Sequence, residues 1–459
     1  MAGAGMAMEI VILAAGMGTR MHSAKPKPLH DLGGKPMLAR IVDTARAVSP
    51  TRLQVVIGKG ADQVREAFAG TDLEFVVQAE QLGTGHAAMQ ALPQCDPESR
   101  VVVLLGDVPL LPTHTLEAFA AMECDLGILT VDVPDPTGYG RMLRSDDGSI
   151  RSIVEERDAT PDEKAVCEIN TGVMVAKAAD FMRWLEQTNQ DNDQGEYLMP
   201  DIVGLALGEG GRVAGMKADH PDDVQGVNDH LQLNRLERVF QRRQARALQR
   251  QGVRIADPER FDLRGELELG QDVAIDVNVV LEGTIRLGSN VTIGPNCHIT
   301  NAEIGDGSVI KPNTVIEGAS IMSDCSVGPF ARIRPGAVLS DEVAIGNFVE
   351  VKKSVLGKGT KASHLAYLGD ATIGARVNIG AGSITCNYDG VNKHQTLIED
   401  DVFVGTNSSL VAPVTIREDS AIGAGSTITK EVPARTLAIG RGKQVIIKGW
   451  EKPRKGSNR

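Results

Sequence analysis

A histidine and a tyrosine stand three residues apart in HLAYLGD (residues 364–370), inside a stretch whose aliphatic residues otherwise return every sixth position. An imidazole titrates near about pH 6.5, so His364 is suited to take a proton at neutral pH. Tyr367 adds a phenol beside it. Arg334 and Lys352 are separated by one coil of three six-residue faces, which stacks them in adjacent coils. Two cations side by side are poor for stability and good for a phosphate.

A second set lies near the N-terminus. LAAGMGTRM (13–21) places Gly16 and Gly18 after an aliphatic run, where exposed backbone N–H groups can cradle an oxyanion. Arg20 and Lys27 add positive charge. QAEQLGTGHA (78–87) supplies another small-residue loop, with the amide of Gln78 able to read a base edge. LLGDVPL (104–110) leaves Asp107 at the end of a buried strand, a natural Mg²⁺ ligand. TGYGR, IVEERD, EINTG and GVND are further polar tips after apolar runs. Taken singly, the glycine turn fits a plain tight turn and a lone histidine fits a surface residue of a coil. Their company points to sites. No GxGxxG fingerprint and no GxxxxGK[ST] loop is present, which disfavours dinucleotide binding and Walker-type hydrolysis.

The elements that must carry these residues are of two kinds. EIVILAAG, LQVVIGKG, LEFVVQ, RVVVLLGD and LGILTVD read as buried strands, with helices between them at 36–49 and 113–122. That alternation predicts a Rossmann-like α/β domain on a mostly parallel sheet over residues 1–230. Residues 229–251 contain neither Gly nor Pro and carry six arginines between 235 and 250; they predict one long helix, placed at 231–251 as a linker with a solvated basic face. From 252 to 459 aliphatic residues recur at Ile293, Ile299, Ile304, Ile310 and Ile316, and onward to Ile416, Ile422 and Ile428. A short period held so long predicts a parallel β-helix. His364 falls between five-residue slips near 356 and 373, where the repeat is disturbed.

Composition narrows the function classes. The chain of 459 residues carries a net charge of -12, against nonspecific nucleic-acid binding. Six scattered cysteines without a CxxC pair suggest reduced thiols. The N-terminal stretch lacks a basic n-region and its apolar run ends in the glycine loop, unlike a signal peptide. No apolar run reaches the ~18 residues of a membrane helix. The expectation is a cytoplasmic protein without nucleic-acid or membrane partners. Fifty glycines exceed ordinary usage of about 7%, as thin coils with tight corners require.

These motifs together, with QLGTGHA, HLAYLGD, NIGAGSITCNYDG and FVGTNSSLVAP in one chain, resemble the bacterial bifunctional N-acetylglucosamine-1-phosphate uridylyltransferase/glucosamine-1-phosphate N-acetyltransferase family from about residue 8 to 450. The resemblance implies a left-handed coil and synthesis of UDP-N-acetylglucosamine for peptidoglycan and lipopolysaccharide. It assigns Leu13, Ala14, Ala15, Gly16 and Lys27 to the nucleotide, and Gln78, Gly83 and Thr84 to uracil. Leu105, Gly106, Asp107, Gly140, Glu155, Asn170 and Asn228 border the sugar nucleotide, with Asp107 and Asn228 as Mg²⁺ ligands. In the coil it implies Arg334 and Lys352 on the phosphate of glucosamine-1-phosphate, Tyr367 and Asn378 on the sugar, and His364 as general base. Ala381, Asn387, Tyr388, Thr406, Ala424 and Arg441 would contact acetyl-CoA, and UTP would be the other co-substrate. A homotrimer is expected, with the acetyl-CoA pocket between neighbours and the basic tail from Arg441 near the CoA phosphates. Met17, Leu105 and Thr406 depart from the family's frequent Lys, Tyr and Ser. A monofunctional sugar-1-phosphate nucleotidyltransferase would not need His364. A non-catalytic hexapeptide subunit would not need Asp107 or Lys27. A zinc hydratase would need more than His298, His364 and His394.

Overall fold

The computed structural model describes residues 7–191 and 195–452. It divides into two compact units, Met1–Phe240 and Gln241–Arg459.

The first unit is built on a sheet ordered Val213–Lys217, Leu126–Asp132, Glu168–Lys177, Arg100–Leu105, Met8–Ala14, Arg52–Ile57, Glu74–Val77. Every neighbouring pair is parallel except those made by Glu168–Lys177, which runs antiparallel to both its partners. The central strand is aliphatic throughout because both of its faces are covered. Ile10 and Ile12 enter one core with Leu38, Ile41 and Phe119. Val11 and Leu13 enter the other with Ala88, Phe181 and Trp184, as alternation along a strand dictates. The C-terminal ends of Met8–Ala14, Arg52–Ile57, Glu74–Val77 and Arg100–Leu105 share one edge, the usual ligand edge of such sheets. The antiparallel strand slips register between Asn170 and Met174 opposite Leu126–Asp132. A hairpin of Arg141–Arg144 and Ile150–Val154 joins it through Arg141 opposite Ile169.

The helix runs His230–Arg250, and the division between the units falls inside it. In the first unit Leu236 is fully buried with Met21, Leu32, Met37 and Val227, and the Arg40 guanidinium lies 3.8 Å from the Phe240 ring centroid. In the second unit Ala245 and Leu248 join the core of the coil, and the Gln241 amide bonds both the N–H and the C=O of Leu263. The helix therefore carries packing duties on both segments, and the expected solvated basic face is partly paired: Arg235 meets Asp222 at 3.0 Å and Arg242 meets Glu259 at 2.6 Å.

The second unit is a stack of parallel strands on three faces. One face is an eleven-stranded ladder from Arg254–Ile255 to Leu437–Ala438. Paired residues are one coil apart along the chain, as in Ala344 opposite Lys361 and Arg332 opposite Glu350. The six-residue aliphatic row is buried along its length, from Ile293 through Ile345 to Ile428. Corners are turned by residues in the left-handed region, mostly Asn and Asp, whose short polar side chains tolerate it. At one corner the left-handed residues are large and apolar. Phe330, Phe348 and Leu365 take φ values of 55°, 57° and 46° in consecutive coils.

Candidate functional sites

A cleft of about 380 Å³ opens at the C-terminal strand edge of the first unit. Leu13, Ala14, Ala15, Gly16, Lys27, Gln78, Gly83, Thr84, Leu105, Gly106, Asp107 and Asn228 all line it. Its polar centre is one point. Lys27 Nζ donates to Asp107 Oδ2 at 2.5 Å and to Asn228 Oδ1 at 3.0 Å, and Arg20 Nη2 reaches the same Asn228 oxygen at 2.9 Å. The sequence spreads these groups over 208 positions; the sheet edge brings them together. Gln78 is buried at the strand end and donates to Gly83 O at 3.1 Å, fixing the loop. Gly83 sits at φ 103°, and a Cβ there would lie 2.5 Å from Tyr197 O. Only glycine closes this turn.

Gly140, Glu155 and Asn170 form a neighbouring group outside that lining. Asn170 N donates to Gly140 O at 2.9 Å, and a Cβ on Gly140 would meet Glu155 Oε1 at 2.9 Å. Burial raises the Glu155 carboxyl above its ordinary range, with Asp201 and Asp158 adding to the rise and Arg141 opposing it. An apolar recess of about 210 Å³, lined by Val131, Val133, Ile169 and Val224, reaches Asp107 and Asn228. Met17 is half-exposed at the cleft. Leu105 packs against Gly172, where a Cβ would come within 2.8 Å of Leu105 Cδ1.

On the coil, Arg334 follows the strand Arg332–Ile333 and Lys352 ends the strand Glu350–Lys352. The pairing of Ile333 with Val351 puts them in adjacent coils at one level. A carboxylate that sequence spacing does not reveal sits with them. Arg334 Nη1 donates to Glu350 Oε1 at 2.7 Å, and Glu350 stands opposite Tyr367. Asn387 Nδ2 lies 3.5 Å from the Tyr367 hydroxyl and donates to Asp370. These residues share one face. His364 lies at the corner before it, with Nδ1 2.8 Å from Asn347 Oδ1.

Above His364 the same corner repeats. Gly382 N bonds Leu365 O, Asn407 N bonds Ala381 O, and Gly425 N bonds Thr406 O. Arg441 Nη1 then donates to Ala424 O at 2.8 Å. Ala381, Thr406, Ala424 and Arg441 thus form a column on the same chain as His364. Asn378 begins a strand beside Lys361–His364. Tyr388 lies in a hairpin that pairs it with Lys393 and is pinned by Asp389, which accepts from Asn392 N, His394 and Val391 N. Those bonds hold the Asp389 carboxyl well below the ordinary carboxylate range. The basic tail is described as far as Lys452; Arg454, Lys455 and Arg459 lie outside the described residues.

Three families match parts of the chain. Residues 10–145 match a MobA-like NTP transferase domain, 263–356 a GMPPB C-terminal domain, and 395–430 a hexapeptide repeat of succinyl-transferase. The bifunctional protein GlmU of Marinobacter nauticus is 51% identical over 450 residues, covering 98% of this chain and 99% of that one. The corresponding protein of Stutzerimonas stutzeri is 52% identical over 98% of this chain and 100% of its own. That of Cupriavidus pinatubonensis is 53% identical over 97% and 99%. The chain belongs to the GlmU family of bifunctional proteins. Membership fixes the architecture of a nucleotidyltransferase-type domain followed by a left-handed hexapeptide coil. Among the described residues no helix is long and apolar enough to cross a membrane.

Proposed function

We propose that the chain makes UDP-N-acetylglucosamine in two steps. The coil transfers an acetyl group from acetyl-CoA to glucosamine-1-phosphate, and the first domain transfers uridylyl from UTP to the product. One observation carries this reading. A single chain holds a strand-end cleft in which Lys27, Asp107 and Asn228 meet, and a coil with a histidine at the foot of an open column. Residues 1–230 are assigned to uridylyl transfer, 231–251 to the connecting helix and 252–459 to acetyl transfer.

In the cleft, Lys27 and Arg20 hold the phosphates, Gln78 with Gly83–Thr84 faces uracil, and Gly140, Glu155 and Asn170 take the sugar. The apolar recess beside Asp107 accommodates an acetyl methyl without burying a polar group. Mg²⁺ fits the oxygens of Asp107 and Asn228, which already converge on one cationic atom, Lys27 Nζ. Two protein oxygens with phosphates and water completing the shell is its preferred setting. When bound it neutralises phosphate charge. The sugar phosphate attacks the α-phosphorus in line, so the protein's work is positioning and charge.

In the coil, Arg334 and Lys352 receive the sugar phosphate, Tyr367 and Asn378 the sugar, and His364 takes the proton of the attacking amine. Ala381, Asn387, Tyr388, Thr406, Ala424 and Arg441 receive acetyl-CoA. A homotrimer completes this site. Its support is the corner of Phe330, Phe348 and Leu365, exposed by 50%, 57% and 60%, with the two phenyl rings stacked 5.4 Å apart. Bulky residues in the left-handed region cost about 1–2 kcal/mol each, and an apolar seam between copies gives them a use. Acetyl-CoA and UTP as co-substrates, with six free cysteines, support a cytoplasmic location.

The test is incubation with glucosamine-1-phosphate, acetyl-CoA, UTP and Mg²⁺ while CoA thiol and pyrophosphate are followed separately. Both should appear, and pyrophosphate should depend on acetyl-CoA. Pyrophosphate at full rate without acetyl-CoA would return the chain to a nucleotidyltransferase acting on other sugars.

A further inference from the structure

His364 ends the strand Lys361–His364, directly opposite Asn347 at the end of Ala344–Asn347. Its Nδ1 lies 2.8 Å from Asn347 Oδ1. An amide oxygen only accepts, so the proton of the neutral ring belongs on Nδ1 and the lone pair on Nε2. Backbone geometry holds the two residues together, because Leu365 N donates to Asn347 O at 3.0 Å. Leu365 then turns the corner with φ 46°, and His364 is left exposed.

With uncharged strands on either side, the neutrality of Asn347 itself matters. Ala344–Asn347 and Asn378–Ile379, the strands hydrogen-bonded on either side, carry no ionisable side chain. On its own strand Lys361 is the charged group, and beyond the corner Tyr367 stands opposite Glu350 on the next face. An aspartate at position 347 would stabilise the imidazolium and hold its proton. An asparagine orients the ring and leaves the proton free to move on.

We propose that Asn347 is a positioning residue that fixes the Nδ1–H tautomer of His364, so that Nε2 is the basic atom facing substrate. This rests on the acetyl-transfer reading of the coil. In that step the amine nitrogen bonds the acyl carbon and the thioester C–S bond breaks. The proton leaving nitrogen passes to Nε2 and then to the departing sulfur.

The experiment uses the full chain labelled with ¹⁵N-histidine, with His364→Gln to assign the resonances. The wild-type ring should show the Nδ1–H tautomer above its titration. Asn347→Leu should lose that preference and lower kcat for acetyl transfer roughly 10–100-fold, the scale seen when the partner orienting a functional histidine is removed. KM for both substrates should stay within about twofold, since the tautomer acts on the proton and not on binding. Asn347→Asp should keep the tautomer and move the ascending limb of the pH–kcat/KM profile to higher pH. An Nε2–H tautomer in the wild type, or a wild-type kcat in Asn347→Leu, overturns the proposal. Full acetyl transfer in His364→Ala overturns the base assignment itself, whichever tautomer the spectrum shows.

Discussion

The cleft of the first unit and the corner of the coil, the two sites proposed above to hold polyanions, present their polar groups in opposite ways. In the cleft, strand ends from one sheet surround the ligand space, and Lys27, Asp107, Asn228 and Arg20 already satisfy one another. On the coil, His364 and the column above it lie along one exposed corner, beside apolar rings that face water. A wound sheet encloses; a coil can only offer an edge. The first site gathers its groups into a cleft of one chain, whereas the second, in the homotrimer proposed above, becomes a pocket only with a neighbour.

The sharpest way to break this comparison is to disable each site alone. Asp107→Ala should reduce pyrophosphate release to background while CoA release continues, since that carboxylate pairs with Lys27 of its own unit. His364→Ala should cut acetyl transfer by roughly 10²–10⁴, the usual worth of a placed base, and leave uridylyl transfer to supplied N-acetylglucosamine-1-phosphate intact. A folded variant of either kind that lost both activities would show the sites to be interdependent.

A substitution at the seam asks whether only the coil depends on assembly. Phe348→Asp puts a charge on the exposed apolar corner. It should lower the sedimenting mass to that of one chain and depress acetyl transfer at least tenfold, with pyrophosphate release unchanged. An assembled protein with normal acetyl transfer would make the corner mere surface.

A smaller effect sharpens the picture of the cleft. Burial raises the Glu155 carboxyl, so its folded-state pKa lies above its unfolded one. Stability linked to this group is therefore full at low pH and lost as pH rises through the folded pKa. Glu155→Gln should raise Tm by roughly 1–3 °C at pH 7 in the absence of ligand, while KM for the sugar phosphate rises. The gain should vanish at acid pH, where the wild-type carboxyl is protonated. An unchanged or lowered Tm at pH 7 would mean that the charge is already compensated.

The smallest effect concerns thiols. Burial pushes Cys95 up to about 12 and Cys297 up to about 11, so neither forms the reactive thiolate at neutral pH. Iodoacetamide should label exposed Cys167 first and spare these two in the native protein. Rapid labelling of Cys95, followed by peptide mapping, would show the sheet to be looser at its N-terminal edge than this packing implies.

Much of the architecture was legible because its period is physical. Five strands of the first unit, Met8–Ala14, Arg52–Ile57, Glu74–Val77, Arg100–Leu105 and Leu126–Asp132, sit where aliphatic runs occur, and the six-residue row of the coil is buried from Ile293 to Ile428. The antiparallel strand Glu168–Lys177 was not legible, since a strand buried on both faces has the same composition in either direction. Of the sites, Arg334 and Lys352 could be paired by counting, because the coil keeps its regular length there. Glu350 and Asn347 escaped notice because single polar residues between aliphatic ones are ordinary on an exposed face. The column from Ala381 to Thr406 was hidden by the hairpin at Tyr388–Lys393, which lengthens one coil before Asn378 meets its partner Phe403. Convergence of Lys27 with Asn228 over 201 positions follows from sheet topology, which no local pattern encodes.

The corner column also acts as a ruler. Successive coils rise by about 4.8 Å, the spacing of hydrogen-bonded strands. The repeats linking Leu365 to Gly382, Ala381 to Asn407, Thr406 to Gly425 and Ala424 to Arg441 place the guanidinium a fixed distance from the imidazole. Length along this protein is therefore quantised. A long, thin ligand lying on the corner is measured in whole coils, and evolution can lengthen or shorten its berth only by adding or removing one complete turn.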